Sequence, residues 1–472
     1  MSGTSAENAS GSGRPLLFGH PKGLFFLAFT EAWERFSFYG MTALLVLYMV
    51  DQLLLPGHVE NIAGFDAFRG ALESVTGPLS DLALASATFG LYSGFVYFTP
   101  VFGGLIADRW IGQRNAVVIG ALSMTGGHIA MSFDRSFLLA LALLVVGSGF
   151  LKGNISSQVG ALYPGEEEAR RTHGFAIFSV AINIGAVCGP LLCGFLAQRF
   201  GWHYGFGVAA VFMIAGLVTY LAGYRHLPAR VGRRRDTDGR ERLDASDWRV
   251  LGSLTAVIGI TIFQSASYYQ LYNVFKIWIQ DSVDLEVGGF LIPVPWYQSV
   301  DAFVCIVSAP FLFALWRAQS KRRGEPGDIA KIGIGAWLTA SGYLLLVLGI
   351  WLAGDDLVNP LWPAVCAAVI GVAFLYYWPT LLALVSRAAP ARVNATMMGI
   401  AFLSLFVSNN LVGWLGGLYE RMTPTQFWLL HAAIAAAGGI CVLLFGGVLR
   451  KRLSAGAEQP MRPSAMTLET ET

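Results

Sequence analysis

Glu31, Glu34, Arg35 and Tyr39 lie in the stretch Glu31-Ala32-Trp33-Glu34-Arg35-Phe36-Ser37-Phe38-Tyr39-Gly40, inside a mostly apolar run from about Lys22 to Val50. At about 3.6 residues per turn, Glu31, Arg35 and Tyr39 stack at i, i+4 and i+8, with Glu34 one turn from Glu31 and beside Arg35. One helix face thus offers two proton acceptors, a phenol, and a guanidinium able to grip a carboxylate through two N–H groups. A second cation, Lys152, stands alone in the run containing Phe150-Leu151-Lys152-Gly153-Asn154-Ile155-Ser156-Ser157. Ionisable groups at such depth cost roughly 2.5–3.5 kcal/mol each on insertion scales, so they are read first as functional.

The elements that must position these groups follow from composition. Of 472 residues, 55% are hydrophobic and only 13% charged, and the mean hydropathy is +0.56. This excludes an ordinary soluble globular protein and points to an all-α polytopic membrane protein. Apolar runs predict twelve spans near 22–50, 82–106, 114–132, 136–163, 172–198, 203–224, 249–279, 294–317, 328–352, 360–388, 394–419 and 424–449. Counted at about 1.5 Å per residue from opposite ends of their spans, Glu31 to Arg35 and Lys152 reach a similar depth and could meet across the bundle.

Twelve spans put both termini on one side. Arg14, Lys22, Arg109, Arg114, Arg170, Arg171, Lys321-Arg322-Arg323, Arg387, Arg392 and Arg450-Lys451-Arg452 collect on that side, which the positive-inside rule makes cytoplasmic. The loops around Asp281–Glu286 and Asp355-Asp356, on the other side, are acidic. One long polar interruption divides the spans six and six. The expected organisation is a flexible tail 1–21, a six-helix bundle 22–224, a cytoplasmic linker 225–248, a six-helix bundle 249–449 and a tail 450–472. Arg230, Arg233, Arg234, Arg235, Arg240 and Arg242 are explained as a charged linker, without a nucleic-acid partner. Two such halves suggest a rocker-type carrier with its site between them.

The remaining chemistry is sparse. Residues 1–20 lack an apolar core followed by a small-residue cleavage site, so no cleaved signal peptide is expected. The five cysteines lie in apolar spans and are read as packing residues, and His128 and His431 as packed and hydrogen-bonded. There is no metal-ligand cluster, nucleophile elbow or nucleotide-binding loop, so neither an enzyme nor a cofactor is expected.

Between the second and third spans stands Gly103-Gly104-Leu105-Ile106-Ala107-Asp108-Arg109-Trp110-Ile111-Gly112-Gln113-Arg114. It resembles the loop signature of the major facilitator superfamily, GGxxADRxxGxR, in which glycines allow close helix approach and the aspartate accepts from a helix N-terminus or an arginine. Five further stretches extend the likeness: the ExxERFxxYG pattern at Glu31 to Gly40, FxKxNIS at Phe150 to Ser156, INxG at Ile182 to Gly185, WxQS at Trp296 to Ser299 and APxRxxxxMMG at Ala389 to Gly399. In order over nearly the whole chain, these resemble the proton-coupled oligopeptide transporters, the peptide branch of that superfamily.

The resemblance implies a twelve-helix, two-bundle fold and proton-coupled symport of di- and tripeptides into the cell, in a bacterial inner membrane and as a monomer embedded in lipid. It places proton coupling and contact with the peptide carboxylate on Glu31, Glu34, Arg35 and Lys152. Tyr39 and Asn183 match pocket positions, Tyr92 and Tyr97 are further lining candidates, and Gly103, Asp108, Arg109 and Gly112 carry the loop motif. The second half departs from the family. The seventh-helix glutamate is Gln264, the tenth-helix glutamate that meets the amino end is Phe374, and the tryptophan after MMG is Ala401. In the WFQSxNP element the asparagine is Asp301 and the proline Ala302.

Asp301 is therefore expected to bind the substrate's positive end or to pair across the halves, with Lys276 as a candidate partner. Tyr268, Tyr269, Tyr376 and Trp378 are expected to add electron-rich surface. The lost amino-end glutamate keeps open a second reading, a proton-coupled carrier of the same fold for an amino acid, nitrate or another small anion.

Overall fold

The computed structural model describes residues 16–163, 168–228, 243–322 and 324–457. A short hairpin pairs Leu16–Leu17 with His20–Pro21. Its turn is tied down by Arg170, whose Nη2 donates to the Gly19 carbonyl at 2.8 Å, and by His20 Nδ1, 2.7 Å from the Tyr163 hydroxyl. The tail expected over 1–21 is therefore built from residue 16 onward, while residues 1–15 lie outside the described ones.

Pro21, with φ fixed and no N–H to satisfy, leads into α1 (Lys22–Tyr48), which continues through a π-helical turn at Met49–Leu53. A helix absent from the sequence expectation follows, α2 (Phe65–Thr76), bounded by Gly64 and Gly77 at φ 77° and 79°. Arg69 secures it, with Nε 3.0 Å from Glu73 and Nη2 3.0 Å from the Leu79 carbonyl. The first half continues with α3 (Asp81–Ile106), α4 (Gln113–Ala130), α5 (Phe137–Ala161), α6 (Glu168–Phe200) and α7 (Trp202–Gly223).

In the second half, Asp244 and Asp247 form a reciprocal cap that starts α8 (Ala245–Tyr268). The single span expected over 249–279 is broken: a 3₁₀ turn at Tyr269–Tyr272 and Asn273 separate α8 from α9 (Val274–Ser282). Asn273 turns its amide to the Ser86 hydroxyl at 2.6 Å and the Val412 carbonyl at 3.3 Å, bonds an unbroken helix would not aim there. A hairpin, Glu286–Val287 with Phe290–Leu291, precedes α10 (Tyr297–Arg322), α11 (Asp328–Ala353), α12 (Leu361–Ala388), α13 (Asn394–Gly416) and α14 (Pro424–Ala457). The last helix thus enters the expected tail 450–472, whose residues 458–472 lie outside the described ones, as do 229–242 of the linker with its six arginines.

Among the described residues, eleven helical segments are long and apolar enough to cross a membrane. The twelfth expected span is α4, kept below them in hydropathy by its polar start Gln113-Arg114-Asn115. The protein is thus an integral, multi-pass membrane protein with six long helical segments per half. In the first half α1 packs on α6 and α7, and α5 on α3 and α4; in the second, α11 packs on α12 and α14, and α8 on α13 and α14.

The halves meet through α3 with α13, α6 with α10 and α1 with α9. Their hydrogen bonds cluster toward the end opposite the Arg/Lys-rich turns. Trp296 Nε1 donates to the Leu191 carbonyl at 2.9 Å, Ser299 Oγ to that of Val187 at 2.8 Å, and Gln298 Nε2 to that of Tyr39 at 3.1 Å. Gln280 Nε2 reaches Asp51 at 3.1 Å. The molecule is closed at that end by polar contacts made largely to backbone carbonyls.

Candidate functional site

Near the midpoint of α1, Arg35 lies between two carboxylates. Its Nε is 3.1 Å from Glu31 Oε1 and forms a close ion pair with Glu34 Oε2, and all three residues are buried. The pairs follow from i, i+4 spacing and from adjacency on one turn, as the sequence implies. The charges are not saturated: Arg35 Nη2, Glu31 Oε2 and Glu34 Oε1 are buried and have no hydrogen-bond partner among the described residues. Buried polar groups are nearly always paired, so this cluster retains capacity for a ligand or a proton.

The glycine of the INxG element explains how α6 approaches Arg35. A Cβ on Gly185 would lie 2.8 Å from Arg35 Cβ and would also run into the Ala32 carbonyl, so only a glycine allows this contact. Asn183 does not face the cluster with a free amide; its Nδ2 donates to the Ser179 carbonyl of its own helix at 2.9 Å.

Lys152, half-buried on α5, reaches the same region without pairing with a carboxylate: no acidic oxygen of the described residues lies within 4.0 Å of it. Its ammonium instead sits 4.6 Å from the ring centre of Phe38 and 5.0 Å from that of Tyr97. Arg35 lies 5.3 Å from the same Phe38 ring, which the two cations therefore share. The expected meeting of α1 and α5 occurs, but through π faces rather than a direct salt bridge. Phe38 was not singled out from the sequence, although its place three residues after Arg35 marks it as a neighbour on the helix surface.

Tyr97 carries the contact across the seam, with its hydroxyl 3.0 Å from that of Tyr269. Tyr92 is buried on the same helix, and Tyr39 is half-buried beside the seam, where its carbonyl accepts from Gln298.

The second-half candidates separate. Asp301 Oδ2 accepts from the hydroxyls of Tyr268 and Tyr272, each at 2.7 Å, and the two hydroxyls are 3.0 Å apart. Lys276 is not its partner: it donates to the carbonyls of Thr42 and Ala43 because α9, beyond the helix break, is turned toward α1. The Tyr268/Tyr272 pair was legible as i, i+4 spacing in Tyr268-Tyr269-Gln270-Leu271-Tyr272, but only Tyr268 was taken up. Gln264 is turned into its own half, with Nε2 3.3 Å from Thr339 Oγ1. Phe374 stacks on Tyr268 with ring centres 5.1 Å apart. Tyr376 packs away from this group on Trp316, and Trp378 on Phe402 and Tyr377.

In the loop motif, a Cβ on Gly103 would collide with the Gly149 carbonyl, and Gly112 turns the chain at φ 77°. Asp108 accepts from Gln113 Nε2 at 3.4 Å rather than from an arginine, and Arg109 is exposed. Arg114 makes the tight contact of this motif, donating to the Leu227 carbonyl and lying 4.9 Å from the Tyr224 ring centre. His431 Nδ1 is 2.8 Å from the Phe427 carbonyl, whereas the buried His128 has no hydrogen-bond partner among the described residues, contrary to expectation. All five cysteines are free, and Cys188 is exposed rather than packed.

The sequence pattern of the Major Facilitator Superfamily matches residues 24–411. The chain belongs to this superfamily. Within it, the protein is 29% identical to "Uncharacterized transporter YclF" of Bacillus subtilis (strain 168), over 92% of this chain and 96% of that protein. It is 27% identical to the peptide transporter YePEPT of Yersinia enterocolitica subsp. palearctica serotype O:3 (strain YE-P4), over 92% and 95%. A crystal structure of a peptide transporter POT in complex with sulfate superposes with a TM-score of 0.80 at 25% identity, covering 93% of this chain and 97% of that one. The likeness expected from the motifs therefore extends to the whole facilitator fold and to POT-type transporters.

Proposed function

We propose that this superfamily member is a proton-coupled symporter that brings di- and tripeptides into the cell by alternating access. The observation that carries the reading is the buried Glu31–Arg35–Glu34 group with its unpartnered Nη2 and carboxylate oxygens, whose Arg35 shares the Phe38 ring with Lys152. The peptide carboxylate is received by Arg35 and Lys152. A proton on Glu31 or Glu34 weakens that residue's hold on Arg35 and frees the guanidinium for substrate; loss of the proton restores the pair and ejects the carboxylate. Tyr39, Tyr92, Tyr97 and Tyr269 form the aromatic lining. Asn183, Gln264 and Phe374 bound the path without supplying charge, and Asp301 acts on the amino-end side through the tyrosines it holds. The loop residues Gly103, Asp108, Arg109 and Gly112 set how the ends of α3 and α4 move.

The protein works as a monomer in a bacterial inner membrane with both termini cytoplasmic and needs no cofactor. The closed end described above then faces outward, leaving the site to exchange with the cytoplasm. The reading is supported by relatives named as peptide transporters over nearly their full length.

The test is uptake of labelled dialanine into proteoliposomes with an alkaline, electrically negative lumen. Proton-dependent accumulation should be lost in Lys152→Ala, because removing a charge-assisted contact of about 1.5–3 kcal/mol lowers affinity about 10- to 100-fold. Folded protein that moves no peptide would favour the second reading, a carrier of a small anion. The neutral residues at Gln264 and Phe374 are the observation that keeps that reading in view.

A further inference from the structure

The hairpin before α1 has an apolar tip that stands open: Leu16, Leu17 and Phe18 are 56%, 41% and 85% exposed. Phe18 holds a φ of 48°, and among the described residues it is the one non-glycine at positive φ. A bulky side chain is uncommon there, and the fastening of the turn does not need one. Arg170 grips the Gly19 carbonyl, and His20 meets the Tyr163 hydroxyl. The Phe18 ring instead leans edge-on toward Phe25 of α1, with ring centres 6.1 Å apart.

Phe25 lies one turn before Phe29, which is 55% exposed. At about 100° per residue, Phe29 is turned about 120° or more from Glu31, Glu34 and Arg35, so this face of α1 looks away from the buried charges and onto lipid. Phe25 sits only about 4.5 Å past Lys22 along the helix axis, at about 1.5 Å per residue, which is the depth of the boundary between headgroups and acyl chains. Lys22 follows the hairpin directly, and Arg170 and Arg171 stand beside its turn, so the surroundings of the apolar tip are positively charged.

We propose that this hairpin is an interfacial membrane anchor: Leu16, Leu17 and Phe18 enter the leaflet on the Arg/Lys-rich side, and Lys22, Arg170 and Arg171 meet its anionic phosphates. Basic residues next to a short apolar segment favour an anionic leaflet, and removing the Phe18 ring from water offsets its strained backbone. Because the same turn is bonded to Arg170 and Tyr163, the anchor fixes the start of α1 against the connection between α5 and α6.

The experiment attaches a nitroxide at Phe18→Cys in protein whose five cysteines are replaced, in vesicles of phosphatidylethanolamine and phosphatidylglycerol. It compares collisions with oxygen, which concentrates in acyl chains, and with a water-soluble nickel chelate. Phe29→Cys marks lipid, and Asp355→Cys, in the exposed turn after α11, marks water. Leu16→Cys repeats the measurement with Phe18 in place. An oxygen-to-nickel ratio at either hairpin position that matches Phe29→Cys and lies several-fold above Asp355→Cys would support the proposal. Ratios like that of Asp355→Cys at both positions would leave the tip in water and overturn it. Low collision with both reagents at both positions would put protein over the tip and also overturn it. Phe18→Asn supplies an independent readout, since asparagine accepts the left-handed backbone and keeps the turn while removing the ring. It should bring the ratio at Leu16→Cys several-fold down, toward that of Asp355→Cys; an unchanged ratio would overturn the role given to Phe18.

Discussion

Lys276 places its ammonium nitrogen 2.7 Å from the carbonyl oxygen of Thr42, across the boundary between the two halves. The same nitrogen is 3.1 Å from the Ala43 carbonyl and 3.4 Å from Gln298 Oε1, and the side chain is fully buried. No carboxylate of the described residues pairs with it. The closed end of the molecule thus holds a cation balanced by dipoles and by the Phe89 ring, 5.8 Å away, rather than by an opposite charge.

Such a charge favours reopening. Dehydrating it costs several kcal/mol, and helix carbonyls already bonded within α1 return only part of that. Replacing buried ionic groups by apolar side chains of similar volume is often neutral or stabilising, and Lys276 leaves no charged partner behind. Lys276→Met should therefore hold the closed end shut. A cysteine placed at Ser299, whose hydroxyl bonds to Val187 at this end, should react more slowly with an impermeant maleimide in the Met variant, and uptake should slow with it. Faster labelling would mean that the donated bonds outweigh dehydration and that Lys276 is a latch.

The bond between Tyr97 and Tyr269 joins the halves at the depth of Lys152. Removing either hydroxyl breaks the same contact, so Tyr97→Phe and Tyr269→Phe should not be additive. The double variant should lose little more than each single one, with a coupling of about 0.5–1.5 kcal/mol in substrate affinity. Fully additive losses would show that the two phenols act on substrate independently.

The sequence made the fold legible because lipid imposes a simple rule, about 20 apolar residues per helix with Lys and Arg on one face. It made the Glu31–Arg35–Glu34 group legible because helix spacing alone decides who neighbours whom. What it did not disclose depended on tertiary geometry. The break at Asn273 lies inside a run that reads as one span in sequence, yet it redirects Lys276 from Asp301 to α1. Likewise, a charge-to-charge meeting of Lys152 with the α1 carboxylates was the natural expectation from depth, and the contact of Lys152 with the Phe38 ring could be placed only by the crossing of α1 and α5. The extra helix α2 escaped notice because it lies in a loop too polar to register as a span.

Gly185 offers a test of how finely Arg35 must be placed. A methyl group there would sit 2.8 Å from both Arg35 Cβ and the Phe36 amide nitrogen, besides clashing with the Ala32 carbonyl, so α6 and α1 must move apart. Overpacking of this kind costs about 1–3 kcal/mol, which a membrane bundle of this size can absorb without unfolding. Positioning tolerates less, since a shift of about 1 Å in a charged group can cost about 100-fold in rate. Gly185→Ala should lower thermal stability modestly while cutting proton-driven uptake at least about tenfold. Gly207→Ala, where a methyl group meets nothing within 4 Å, serves as the control and should change neither. Equal losses of stability and uptake in Gly185→Ala, tracking the folded fraction alone, would show that Arg35 has more freedom than its setting between Glu31 and Glu34 implies.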